Sequence, residues 1–104
     1  MDIYTVEQLI KAAKKNGHPW GNEKNRKDRS EYVNGVYSCV VGQGLINLGV
    51  KDHFPYPTPD SNFYEAWKDV IRYNDYEATS FEDAYAYMVK KLTPFKGETI
   101  AVKD

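Results

Sequence analysis

A tight hairpin followed at once by an apolar helix is predicted for residues 31–49, which read EYVNGVYSCVVGQGLINLG. Asn34-Gly35 tolerates the positive φ angles of a type I′ turn, so we expect a hairpin near 31–38. Apolar residues then recur at helical spacing, which predicts a helix over 39–48 with Ser38 as its N-cap and Gly49 as its end.

This helix is predicted to be the most buried one. It has no charged face, and such a helix is usually covered on most sides. Gly42 and Gly44 each cost about 1 kcal/mol relative to alanine inside a helix. Glycines at these positions indicate that another backbone approaches closely, so the remaining elements should pack around residues 39–48.

Three further helices are predicted from their apolar stripes, near 6–15, 61–73 and 81–92. Thr5 with Gln8 and Ser80 with Asp83 have the spacing of capping boxes. Asn74 suits a left-handed residue that closes the third helix. A short alternating strand over 99–102 should pair with the hairpin or fray. The predicted fold class is mainly α (α+β): about four helices around a central buried helix, with a short β-hairpin and one C-terminal strand.

Composition limits the number of domains. A chain of 104 residues with 41% hydrophobic and 28% charged residues is expected to form one globular domain over 1–104. A single cysteine allows no intramolecular disulfide. The first residues do not resemble a secretion signal, and no apolar stretch approaches the roughly 20 residues of a membrane span. We therefore expect a cytoplasmic protein without a membrane segment.

Three short motifs carry a family resemblance: Cys39 with Gly42, the run 73–75 (Tyr-Asn-Asp), and the run 79–83 (Thr-Ser-Phe-Glu-Asp). Together with the order of elements, they resemble a family of small uncharacterised proteins encoded by actinobacteria and phages. The family often has Gly-Ala where this chain has Gly42-Gln43, and often tryptophan in place of Tyr73. No activity is established for that family, so the resemblance implies the architecture and leaves the function open.

An acidic, tyrosine-rich region is the strongest sequence feature that points to a function. Residues 59–87 hold seven Asp/Glu, two Lys/Arg and five of the nine tyrosines. Tyrosine is a frequent interface anchor, and acidic surroundings suit a partner with a basic surface. We therefore expect a small non-catalytic accessory protein, of the kind a phage encodes, that acts on a host or defence-system protein. The alternative is that the tyrosines border the core and the acids keep the protein soluble. The predicted binding residues are Tyr64, Tyr73, Tyr76, Glu77, Glu82 and Tyr87.

Cys39 is the residue on which a catalytic hypothesis would depend. A thiol at the start of a helix meets the positive end of the helix dipole, and His18 or His53 could act as its base in a Cys-His hydrolase. Its neighbours are apolar, however, and a free cysteine in such surroundings is most often a small core residue. We predict a structural role for Cys39, and neither a metal site nor a cofactor, because one cysteine and two scattered histidines show no ligand spacing.

Nucleic acid and a small molecule are two other classes of ligand. The basic residues of the 16–31 loop lie among acids that nearly cancel their charge, so nucleic acid is not expected as a partner. A small nucleotide-like ligand, held in a pocket of tyrosine and tryptophan side chains, is an open alternative to a protein partner.

Overall fold

The computed structural model describes residues 2–15, 20, 32–33, 36–37, 39–50, 55 and 57–102. Four α-helices dominate this part of the chain, and the predicted mainly-α class is confirmed. The helices are α1 (Val6–Ala13), α2 (Val40–Asn47), α3 (Asn62–Tyr76) and α4 (Phe81–Leu92). A 3₁₀ turn covers Thr93–Phe95, and the strands are β1 (Asp2–Thr5), β2 (Tyr32–Val33), β3 (Val36–Tyr37) and β4 (Thr99–Val102).

Helix α2 is the most buried helix, as its uncharged sequence predicts. Residues 40–45 are all buried, and α2 packs against α1, α3, α4 and β3. The helix ends before Gly49, whose φ of 93° is a left-handed conformation that glycine adopts without strain. The predicted hairpin is also confirmed, since β2 and β3 pair antiparallel in the register Val33 with Val36.

Helix α1 approaches α2 closely at Gly44. A Cβ atom on Gly44 would lie 2.9 Å from the backbone oxygen of Leu9 and 3.1 Å from the Cβ of Ala13. The absence of a side chain therefore allows the two helices to touch. The capping box that starts α1 is confirmed, because Thr5 Oγ1 accepts from the Gln8 backbone N–H while Gln8 Oε1 accepts from the Thr5 N–H.

Helices α3 and α4 pack against each other and complete the core. The stripe of α3 includes Phe63 and Trp67, whose rings meet edge to face at 5.9 Å. Ser61 Oγ caps α3 by accepting from the Tyr64 N–H, and Ser80 Oγ caps α4 by accepting from the Asp83 N–H. Capping hydroxyls satisfy backbone donors that a helix leaves without partners at its start.

Strand β1 was not predicted from the sequence. It pairs antiparallel with β4, with Ile3 opposite Ala101 and Tyr4 opposite Ile100. The C-terminal strand therefore pairs with the N-terminal residues, and the expectation that it pairs with the hairpin or frays is wrong. Two segments far apart in sequence create this sheet, and residues 2–5 are too few to show a strand pattern alone.

Two helix ends differ from the prediction by two residues or more. Helix α1 ends at Ala13, two residues before the expected end. Helix α3 continues to Tyr76, so Asn74 lies within it and is fully buried instead of closing it. The position of Asn74 is the larger correction, because this side chain bonds to two other parts of the fold.

Candidate functional site

The six predicted binding residues lie on α3, on α4 and at the connection between them, but their surroundings differ. Tyr73 and Tyr87 stack on each other across the two helices, with ring centroids 3.9 Å apart and planes at 1°. Such a stack between helices holds the helices together. Both rings are half-buried by this contact.

Asp83 fixes the hydroxyl end of this pair. Tyr73 Oη donates to Asp83 Oδ1 at 2.9 Å, and the Thr79 backbone N–H donates to Asp83 Oδ2 at 3.0 Å. The hydrogen bond to the Asp83 carboxylate raises the pKa of Tyr73. Asp83 therefore joins the turn before α4 to α3 and does not serve as a free surface acid.

Three of the six other acids of the 59–87 region are ion-paired or buried. Lys68 Nζ lies 3.6 Å from Glu65 Oε2, and Asp69 lies 3.6 Å from Arg72 Nη1 and 3.4 Å from Lys91 Nζ. Asp75 is only 7% exposed. The excess of acids counted along the sequence is consequently smaller on the surface.

Three of the predicted residues remain exposed at the connection between α3 and α4. Tyr76 is 59% exposed, and Glu77 and Glu82 are exposed acids that form no ion pair within the described residues. We call Tyr76, Glu77 and Glu82 the junction surface. It combines an aromatic ring with two negative charges that have no ion-pair partner among the described residues.

An open groove with a volume of about 370 Å³ runs along α3. Lys68 Nζ lies 4.7 Å from the ring centroid of Tyr64, a cation–π contact at one end of the groove. Tyr64 and Tyr76 thus share one groove, whereas Tyr73 and Tyr87 form the contact between helices. Neither tryptophan is among the described residues that line the groove: Tyr64, Lys68, Ile71, Arg72, Asp75 and Tyr76.

Asn74 forms a buried network behind this groove. Its Oδ1 accepts from the Trp20 indole N–H at 2.8 Å and from the Val40 backbone N–H at 3.1 Å, while its Nδ2 donates to Asp75 Oδ1 at 3.2 Å. The network connects α3, the first residue of α2 and the segment that contains Trp20. The burial of Asn74 could have been predicted from its position. It follows Val70 by four residues and therefore lies on the apolar stripe of the helix.

Cys39 is the N-cap of α2 and lies in the core, so the prediction of Ser38 as the N-cap is wrong. The side chain has no exposed area, and Sγ accepts from the Gly42 backbone N–H at 3.3 Å. Burial away from water raises the pKa of the Cys39 thiol to about 12, and the bond from Gly42 only partly opposes this effect. The reactive thiolate is thereby disfavoured. The proposed bases His18 and His53 lie outside the described residues, and no group of three potential metal ligands occurs within the described part of the chain.

Labelling of Cys39 by a thiol reagent at neutral pH should be slow, and it should speed up only as denaturant unfolds the protein. The reason is that reaction requires both access and the thiolate, and the folded state restricts both. The labelling rate is to be compared with the unfolding rate across a denaturant series. Rapid labelling of the folded protein would contradict a structural role and would favour the hydrolase hypothesis.

The raised pKa also predicts a pH dependence of stability. Because the folded-state pKa lies above the ordinary value of 9.0, the neutral thiol contributes fully below pH 9.0 and this contribution declines as the pH rises to about 12. Comparison with Cys39→Ala isolates the thiol from the other groups that titrate there. The free energy of unfolding should fall with pH more steeply for the wild type than for this variant.

Within the described residues, no helix has the length and apolar character needed to cross a membrane.

Comparison with known proteins finds no matching family model, no matching curated protein and no matching solved structure.

Proposed function

We propose that the protein acts without catalysis, by binding another protein whose surface is basic. The contact would be made by the junction surface: Tyr76, Glu77 and Glu82. The observation that supports this proposal is the contrast between Tyr76, which is 59% exposed at a connection that also holds two exposed acids, and the paired Tyr73 and Tyr87.

The chemistry of the junction surface suits such a partner. A tyrosine ring offers a large rigid contact area with few rotatable bonds, and exposed tyrosines frequently anchor interfaces. Exposed acids attract Lys and Arg side chains and accelerate the approach of a basic partner. The resemblance to phage-encoded proteins makes a host or defence-system protein the first class to test.

Reversing both acids, as Glu77→Lys with Glu82→Lys, should weaken the complex while the fold is retained, because both side chains are exposed. The wild type and this variant are immobilised, proteins captured from a host lysate are identified by mass spectrometry, and binding of each purified partner is then measured at rising salt. Association with the wild type should slow as salt increases, since exposed charges are screened beyond about 8 Å at 0.15 M.

A matched control is available elsewhere in the chain. Glu7 lies in the first turn of α1, as Glu82 lies in the first turn of α4, and Glu98, directly before β4, is exposed outside any helix, as Glu77 is. Glu7→Lys with Glu98→Lys thus changes the net charge equally at a different place. A purified partner that binds both double variants equally well, or no captured partner at all, would contradict the proposal.

A further inference from the structure

We infer that the groove along α3 is a binding site for a mononucleotide, with the aromatic base against Tyr64 and Tyr76 and the phosphate near Lys68 and Arg72. This inference goes beyond binding of a protein at the junction surface. The two sites share only Tyr76, so each can be tested without the other.

The size and placement of the groove suit a small ligand. Its volume of about 370 Å³ falls within the range of roughly 300–1,000 Å³ that ligand pockets occupy. Tyr64, Lys68, Ile71 and Asp75 succeed one another at spacings of four, three and four residues, so they share one face of α3. A rigid 15-residue helix therefore holds the main contacts of the groove in fixed relative positions.

The aromatic side chains suit a planar base. Tyr76 is 59% exposed, and the Tyr64 ring face is covered by Lys68 Nζ at 4.7 Å from its centroid, so a base reaches that face when Lys68 turns to the phosphate. Stacking of a base on an aromatic side chain contributes about 1–3 kcal/mol. Ile71 adds an apolar surface between the charged residues.

The cations are available for an anionic group. Lys68 and Arg72 contact Glu65 and Asp69 at 3.6 Å, but these are pairs three residues apart on an accessible helix surface, and the Arg72 side chain is 65% exposed. Such pairs contribute about 0–1 kcal/mol, so a phosphate can replace them. The planar guanidinium of Arg72 matches two phosphate oxygens at once.

The carboxylate of Asp75 favours ligands that carry hydrogen-bond donors as well as a phosphate. Its carboxylate lines the groove, is 7% exposed and is oriented by the bond from Asn74 Nδ2. A carboxylate accepts hydrogen bonds and repels anions. The groove thus disfavours inorganic phosphate and favours a ligand that also carries donors, as a nucleotide does in its sugar hydroxyls and exocyclic amines. A basic protein side chain fits less well, because Lys68 and Arg72 would repel it.

The test is isothermal titration calorimetry with AMP, GMP, CMP and UMP, each compared with its nucleoside and with inorganic phosphate. At least one mononucleotide should bind at millimolar concentration or below, its nucleoside more weakly, and phosphate not measurably. Arg72→Gln should reduce the affinity by roughly tenfold to a hundredfold, the range expected for a lost hydrogen bond between charged groups.

Lys90→Gln removes one exposed positive charge from α4 and is the matched control. It should leave the affinity unchanged, and thermal melts should show that both variants are folded. No binding of any mononucleotide, equal binding of phosphate, or equal affinity of Arg72→Gln and the wild type would overturn the inference. None of these outcomes bears on the protein partner, because Arg72 is not part of the junction surface.

Discussion

Leu45→Ala is expected to lower the free energy of unfolding by about 2–5 kcal/mol, the range of large-to-small substitutions in a packed core. Leu45 is fully buried on α2, the helix that contacts each of the other three. Truncation removes apolar contacts and leaves a cavity that rigid neighbours close only in part. The measurement is equilibrium unfolding in urea, followed by circular dichroism.

Leu48→Ala is the matched control for this substitution. Leu48 is the C-cap residue of the same helix and is only half-buried, so the same truncation there should have a clearly smaller effect. Equal slopes of free energy against urea would show that both variants unfold from a comparably compact state. If Leu45→Ala unfolded at the same urea concentration as the wild type, the central position of α2 would be refuted.

The helices could be predicted because their signals are local. Apolar residues at helical spacing, a capping pair such as Thr5 with Gln8 and a stop such as Gly49 lie within a few residues of the structure they determine. Gly44 was informative for the same reason. A glycine inside a helix is unfavourable unless something requires it, and here the requirement is the backbone of Leu9.

Long-range pairing could not be predicted in this way. Strand β1 exists because residues 2–5 meet residues 99–102 at the other end of the chain. Neither segment alternates over enough positions to specify its partner. Tyr4 shows the same dependence on distant residues, since its hydroxyl donates to the backbone oxygen of Leu48.

The candidate site was predictable in composition but not in geometry. Counting tyrosines and acids pointed to the 59–87 region, yet the count could not separate Tyr76, which is exposed, from Tyr73, which stacks on Tyr87. That distinction depends on how α4 lies against α3. The groove also could not be predicted from the count. It is lined by Lys68 and Arg72, and an excess of acids counted along the sequence does not show that two basic side chains lie together on α3.

Asn74→Ala is expected to lower the free energy of unfolding by about 2–5 kcal/mol, because it leaves buried donors without an acceptor. The Val40 N–H would lose its bond to Asn74 Oδ1 at the buried start of α2, and the half-buried Trp20 indole would lose its bond as well. Each unsatisfied buried group costs about 1–3 kcal/mol. Chemical denaturation provides the comparison with the wild type.

Asn47→Ala is the control that separates burial from the number of hydrogen bonds. Asn47 Nδ2 also makes two bonds, to the backbone oxygens of Ala12 and Lys15, but this residue is only half-buried. Water can reach partners near the surface, so the loss of unfolding free energy in Asn47→Ala should be smaller.

A double-mutant cycle of Asn74→Ala with Trp20→Phe should show a coupling free energy of about 0.5–3 kcal/mol, as residues in one hydrogen-bond network do. If Asn74→Ala were no more destabilising than Asn47→Ala and showed no coupling to Trp20, the buried network would not be what holds α3, α2 and Trp20 together.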